Sequence, residues 1–147
     1  MRTVHVSTGK PYDIFIERGL LDKAGEYAKS LSSATRAVLI TDTNVAPLYK
    51  WRVLNSLSAA GFEVATHVFQ AGEESKHLGT IAEMYKTLAD SGMTRKDMIV
   101  ALGGGVCGDM AGFAAATSAP LTGIFFAFEE AHKRFSPMIF MSAASAA

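Results

Sequence analysis

Residues 98–117 read MIVALGGGVCGDMAGFAAAT: an apolar run, three consecutive glycines at 103–105, a fourth at Gly108, an acid at Asp109 and then a stretch of small residues. An apolar run stopped by glycines and followed by small residues predicts a buried strand, a sharp turn and a helix. Gly103, Gly105 and Gly108 satisfy G-x-G-x-x-G with Val106 inside the motif, where main-chain N–H groups and the helix dipole favour a pyrophosphate. Gly104 removes one more side chain, so a ligand can approach the backbone closely. The plainer reading is that these glycines only allow tight helix–strand packing. In a dinucleotide fingerprint an acid about 20 residues on holds the ribose, and Glu129 or Glu130, after IFFAF, falls near that distance.

Working outward, the chain alternates strand and helix signals. Val4 and Val6, then Tyr12, Ile14 and Ile16 after a Gly/Pro turn, predict an opening β-hairpin. Leu21, Ala24, Ala28 and Leu31 recur at helical spacing. RAVLITD, residues 36–42, is a continuous apolar run of the kind buried on both faces of a parallel sheet, and Val45, Leu48, Val53, Leu54 and Leu57 follow as a helix ending at Gly61. EVATHVF, residues 63–69, reads as a strand, and Leu78, Ile81, Met84, Tyr85 and Leu88 as an amphipathic helix. The expected class is α/β, a Rossmann-like parallel-sheet nucleotide-binding domain with helices on both faces and an amino-terminal β-hairpin. Beyond Thr117 the chain is expected to hold one more strand, Ile124 to Phe128, then a charged cluster and a frayed Ala/Ser end.

Bulk properties narrow the partners. The chain has 147 residues, 49% hydrophobic and 19% charged, which fits one soluble globular domain. With 14 basic residues against 14 acidic ones, neither nucleic acid nor an anionic membrane surface is the expected partner. The start has no signal-peptide h-region, and no apolar run approaches the ~20 residues that span a bilayer, so a cytoplasmic location is expected. The single cysteine, Cys107, excludes an internal disulfide and is expected to be a small buried residue, since no histidine neighbours it in sequence. His5, His67, His77 and His132 form no metal-binding spacing; His67 is expected to be structural, and His77 to face solvent or a ligand.

Ligands of such sheets sit at the carboxyl ends of strands, where three loops carry chemistry: TDTN (41–44), QAGEESKH (70–77) and GGGVCGD (103–109). Asp42 and Asn44 suit a helix N-cap or an adenosine ribose. Glu73 and Lys76 suit an ordinary i, i+3 pair, or a carboxylate for ribose hydroxyls beside an ammonium for a phosphate or the adenine end of a cofactor. Asp109, expected in the first turn of its helix, either complements the dipole or hydrogen-bonds ribose or nicotinamide groups.

In that order and spacing, TDTNVAPLY, GEESK and ALGGGVCGDMAGFAAAT make the chain, from about Met1 to Thr117, resemble the amino-terminal, NAD-binding half of the 3-dehydroquinate synthases, members of the sugar-phosphate cyclase superfamily. The resemblance implies that Asp42 and Asn44 hold the adenosine ribose and that Glu73 and Lys76 belong to the NAD pocket. It implies that Gly103, Gly104 and Gly105, with Val106 and Gly108 in the same loop, receive the pyrophosphate, and that Asp109 contacts the nicotinamide side. Glu129 and Glu130 then lose the ribose role. The implied reaction converts the sugar phosphate 3-deoxy-D-arabino-heptulosonate 7-phosphate to 3-dehydroquinate and phosphate, with recycled NAD and a divalent metal, zinc or cobalt, in a homodimeric full-length enzyme of the shikimate pathway.

After AAAT the sequence departs from the family. It reads SAPLTGIFFAFEEAHKRF in place of Tyr-x-Arg-Gly, Pro-Thr-Thr, Asp-Ser-Ser and Gly-Gly-Lys, and the all-helical domain with the metal-binding Glu and two His is missing. Residues 1–117 are therefore expected to be the NAD-binding domain and 118–147 a divergent tail of a truncated or frame-shifted chain, inactive alone. Its apolar residues Phe125, Phe126, Phe128, Met138, Ile139 and Phe140 are candidates to cover the exposed cleft. Other sugar-phosphate cyclases, glycerol-dehydrogenase-like alcohol dehydrogenases and a bare nucleotide-binding module are the alternatives.

Overall fold

The computed structural model describes residues 1–9, 11–117, 122–131 and 134–140, with backbone alone for 116–117 and the last two stretches. Strands β1 (Arg2–Val6), β2 (Tyr12–Ile16), β3 (Arg36–Asp42), β4 (Glu63–Phe69), β5 (Met98–Gly103), β6 (Thr122–Ala131) and β7 (Arg134–Phe140) form one seven-stranded sheet in the order β1-β2-β7-β6-β5-β3-β4. Helices α1 (Ala24–Leu31), α2 (Ala46–Ala59), α3 (Leu78–Asp90) and α4 (Gly105–Thr117) connect them, with a 3-10 turn at Leu20–Lys23 leading into α1.

The core explains why RAVLITD and MIVALG are apolar throughout. β3 and β5 are neighbouring interior strands of the sheet, and each feeds both faces. Ala37, Leu39, Met98, Val100 and Leu102 pack with Val53, Leu57, Ala24 and Ala28 of α2 and α1. Val38, Ile40, Ile99 and Ala101 pack on the other face with Ile81, Met84 and Leu88 of α3 and Met110 and Ala111 of α4. β4, β3, β5 and β6 are mutually parallel, joined through α2, α3 and α4. The chain leaves β3 for its neighbour β4, crosses back to β5 on the other side of β3, and continues outward to β6.

The hairpin forms as expected, with Val4 opposite Ile14, but it is not next to the parallel strands. β7, antiparallel to both β6 and β2, stands between. The sequence reading misses β7 because RFSPMIF carries Pro137 and no clean alternation, and it treats this region as a charged cluster leading to a frayed end. The side chains of the six apolar tail residues named above are outside the described residues, as is His132.

Two helical patterns are read too generously. Leu48 and Leu78 fit the expected apolar spacing, yet they are 60% and 78% exposed, and the buried face of α2 is Ala46, Val53 and Leu57. Leu78 is the first residue of α3, so its side chain lies beyond the turn that meets the sheet. Among the described residues no helix is long and apolar enough to cross a membrane.

α1 and α2 touch at Gly25, whose N–H donates to Ser56 Oγ at 2.9 Å. A Cβ there would stand 2.0 Å from the Ser56 carbonyl oxygen. Gly25→Ala is expected to cost about 3 kcal/mol or more in urea unfolding, at or beyond the upper end of ordinary overpacking, because backbone blocks the space; a loss within experimental error would contradict this packing.

His67 is a structural histidine, as expected: Nδ1 is 2.7 Å from Thr87 Oγ1, and its buried Nε2 has no hydrogen-bond partner among the described residues. Burial holds its pKa below the ordinary 6.5, against the upward pull of Glu83. The unfolded chain therefore takes the proton first, and His67's contribution is complete above the ordinary value and declines as pH falls through it. Wild type should lose more stability than His67→Gln between about pH 7 and about pH 5, measured as the difference in urea midpoints.

Candidate functional site

The reversal of chain direction between β3 and β5 creates a crevice, because the helices that leave the two strands, α2 and α4, lie on opposite faces of the sheet. The register places Thr41 beside Leu102, so Asp42 and Gly103 end neighbouring strands. All three chemistry-bearing loops open at this end.

The TDTN loop is built on Asp42. Its Oδ1 accepts from the N–H groups of Asn44 and Val45, each at 2.9 Å, which fixes the turn ahead of α2. The N-cap of α2 is Val45, with no side-chain cap bond, so the capping expectation for Asp42 and Asn44 is corrected to a turn-stabilising role for Asp42 that uses one oxygen. Oδ2 faces the glycine turn, 3.4 Å from where a Gly103 Cβ would sit, which leaves that side of the carboxylate turned toward the crevice. Asn44 is exposed in the same loop.

The QAGEESKH loop is tied to TDTN by Thr43, a residue the sequence reading passes over. Its N–H donates to the Phe69 carbonyl at 2.9 Å, and its hydroxyl accepts from Ala71 N–H at 3.0 Å. Ser75, buried, donates to the Gln70 carbonyl. The signal was a threonine between two polar loop residues, too common in loops to single out. His77 proves to be the N-cap of α3, its Nδ1 accepting from Thr80 N–H at 3.3 Å.

The glycines divide into two kinds. A Cβ on Gly103 would stand 2.7 Å from Cys107 Cβ and 3.2 Å from its sulfur, so this glycine serves close strand–helix packing. A Cβ on Gly105 would meet nothing within 4 Å. α4 starts at Gly105, and Gly108 N–H donates to the Gly104 carbonyl at 3.0 Å, so the turn leads straight into an exposed helix amino terminus. Asp109 is then the fifth residue of α4, which corrects the expectation of a first-turn acid: the helix already begins at the last glycine of the run, and the dipole's effect fades past the first turn.

Asp109 instead meets Lys76, Oδ2 to Nζ at 2.8 Å, while the same ammonium is 3.2 Å from Glu73 Oε2. Both contacts raise the Lys76 pKa, Asp109's more strongly. The structure thus joins Glu73, Lys76 and Asp109 in one cluster and Asp42 with Gly103 in another, on two sides of the glycine turn. Cys107 is buried, its Sγ 3.4 Å from the Ile40 carbonyl, and burial first, then the Asp42 charge, push its pKa up to about 12. It is no nucleophile at neutral pH. Among the described residues no group of three or more His, Cys, Asp or Glu could hold a metal ion, so the described site does not fit a catalytic metal.

Comparison with known proteins agrees with this geometry. Residues 66–126 match the family described as 3-dehydroquinate synthase N-terminal, a match that runs past Thr117 into β6. The matched segment belongs to that family. A 3-dehydroquinate synthase of Streptococcus pneumoniae is 50% identical over 107 residues, 73% of this chain and 30% of the relative's length. The chain therefore spans less than a third of the curated relatives it matches. Among solved structures, a 2-epi-5-epi-valiolone synthase of Streptomyces hygroscopicus with NAD+ and Zn2+ bound is 26% identical with a TM-score of 0.62, over 76% of this chain and 30% of that one. A 2-deoxy-scyllo-inosose synthase, 24% identical with a TM-score of 0.74, shares the fold over 86% of this chain and 34% of its own. Glycerol dehydrogenase from Schizosaccharomyces pombe is also similar, 27% identical with a TM-score of 0.58, over 71% of this chain and 25% of that one.

Two outcomes check this description. Gly103→Ala should cost roughly 1–3 kcal/mol of unfolding free energy through the clash with Cys107. Native Cys107 should resist an aqueous thiol reagent at neutral pH and react fully only in denaturant; rapid labelling of folded protein would contradict its burial.

Proposed function

We propose that these residues are the NAD-binding part of a sugar-phosphate cyclase of the 3-dehydroquinate synthase kind. The observation that carries the reading is the empty space at Gly105. Among the described residues no atom lies where its side chain would be, although this glycine stands at the exposed start of α4, at the sheet's switch point. Glycine at a helix start costs stability relative to alanine. A site that keeps it without a packing need is suited to close approach by a ligand, and N–H groups at a helix amino terminus suit a pyrophosphate.

Around that point the side chains take distinct tasks. Gly103, Gly104 and Gly105, with Val106 and Gly108, line the pyrophosphate path. Asp42, held by its bonds to the Asn44 and Val45 N–H groups, and Asn44 receive the adenosine ribose hydroxyls. Glu73 and Lys76 border the same pocket from the third loop, and Asp109 faces the nicotinamide side. When bound there, NAD would supply reversible hydride-acceptor chemistry for a secondary alcohol of the substrate, whose carbinol C–H gives the hydride while its O–H gives a proton.

The substrate proposed for the complete activity is 3-deoxy-D-arabino-heptulosonate 7-phosphate, giving 3-dehydroquinate and phosphate. The support is the 50% identity to 3-dehydroquinate synthase, well above the similarity to the valiolone synthase. GGGVCGDMAGF also differs from the glycerol dehydrogenase type of turn. The 147-residue chain by itself should bind the cofactor without turnover, since the described residues bring no metal-binding cluster to the site.

Titration with NAD, followed by calorimetry, tests the reading. Wild type should saturate, and Gly105→Ala should bind at least about tenfold more weakly while its melting temperature stays the same or rises. Equal binding by both proteins would overturn the assignment of Gly105. Phosphate release from the heptulosonate phosphate by this chain alone would overturn the absence of turnover.

A further inference from the structure

Asp109 poses an electrostatic problem for the proposed site. A carboxylate one turn into α4 lies close to the helix end assigned to a pyrophosphate, and like charges repel. Glu73 adds a second carboxylate from the loop between β4 and α3. Among the described residues Lys76 is the cation that reaches both, at 2.8 Å from Asp109 Oδ2 and 3.2 Å from Glu73 Oε2. An ammonium has three donors, and these contacts engage two of them. The loop that carries it is braced independently by Thr43 and by Ser75, so the position of Lys76 follows from the fold as well as from its charge.

Resting on the cofactor assignment above, we infer that Lys76 is a charge-compensating positioning residue. Its ammonium acts through the two carboxylates, cancelling repulsion of the pyrophosphate and holding the 70–77 loop against α4, and it is not itself the phosphate ligand. A direct phosphate ligand and a compensating cation give opposite results when the carboxylates are neutralised. Loss of a direct ligand costs the same affinity in either background. Loss of a compensating cation costs affinity only while there is negative charge to compensate.

The experiment uses ADP-ribose, which carries the pyrophosphate and ribose but no nicotinamide, so that any contact of Asp109 with nicotinamide drops out. Calorimetric titration at low salt compares wild type, Lys76→Met, Glu73→Gln/Asp109→Asn, and the triple variant. Lys76→Met should weaken binding about three- to tenfold in the wild-type background, as expected for one exposed charge. In the doubly neutralised background the same substitution should change affinity less than about twofold. An equal loss in both backgrounds overturns the inference.

A second readout needs no ligand. Amide exchange across residues 71–77 should speed up in Lys76→Met and in Asp109→Asn, and the two combined should do no more than Lys76→Met alone, because that substitution already breaks the contact with Asp109. Additive or absent effects overturn the bridge. If wild type shows no saturable ADP-ribose signal, the cofactor reading fails together with the compensating role, and exchange alone decides whether the ion bridge holds the loop.

Discussion

The contact on which the site depends is the close approach of α4 to the end of β5, where Gly103 lies against Cys107. Because no Cβ intervenes, the helix starts directly above the strand end, and its amino terminus points into the crevice between β3 and β5. Cys107 is matched to that contact: small, apolar in behaviour, and with its thiol directed to the Ile40 carbonyl on the next strand. A larger residue at either position would push α4 outward and move the open space at Gly105 with it. The packing glycine and the ligand-facing glycine are two residues apart, and the first sets the location of the second.

Much of this was legible in the sequence, and the reasons differ by element. β3 and β5 were readable because a strand buried on both faces has to be apolar at nearly every position, and α3 because one buried stripe imposes a period. β7 was not. An antiparallel strand inserted between the hairpin and the parallel strands draws its specificity from pairing with β2 and β6, and pairing partners leave no local pattern in a segment such as RFSPMIF. Leu48 and Leu78 show the complementary error, since periodicity reports which residues share a face and not how far that face is covered.

At the site, the glycines, Asp42, Asn44, Glu73, Lys76 and Asp109 were recognisable as a set, while their division of labour needed the fold. Asp42 holds the turn before α2 without capping the helix and leaves an oxygen toward the crevice, a division that sequence spacing does not reveal. Glu73 and Lys76, an ordinary i, i+3 pair along the chain, become a three-member charge cluster only because β4 delivers its loop beside α4. Thr43 was invisible for the same reason: its bonds cross between loops that are 28 positions apart.

The central claim is that a dinucleotide lies across the switch point between β3 and β5. The most direct measurement is a 15N chemical-shift titration of the chain with NAD. The account predicts saturable shifts concentrated in residues 42–45, 71–77 and 103–109, with the opposite end of the sheet, around Arg36, Glu63 and Met93, unchanged. Saturable shifts centred on that opposite end, or no saturation at millimolar cofactor, would contradict it.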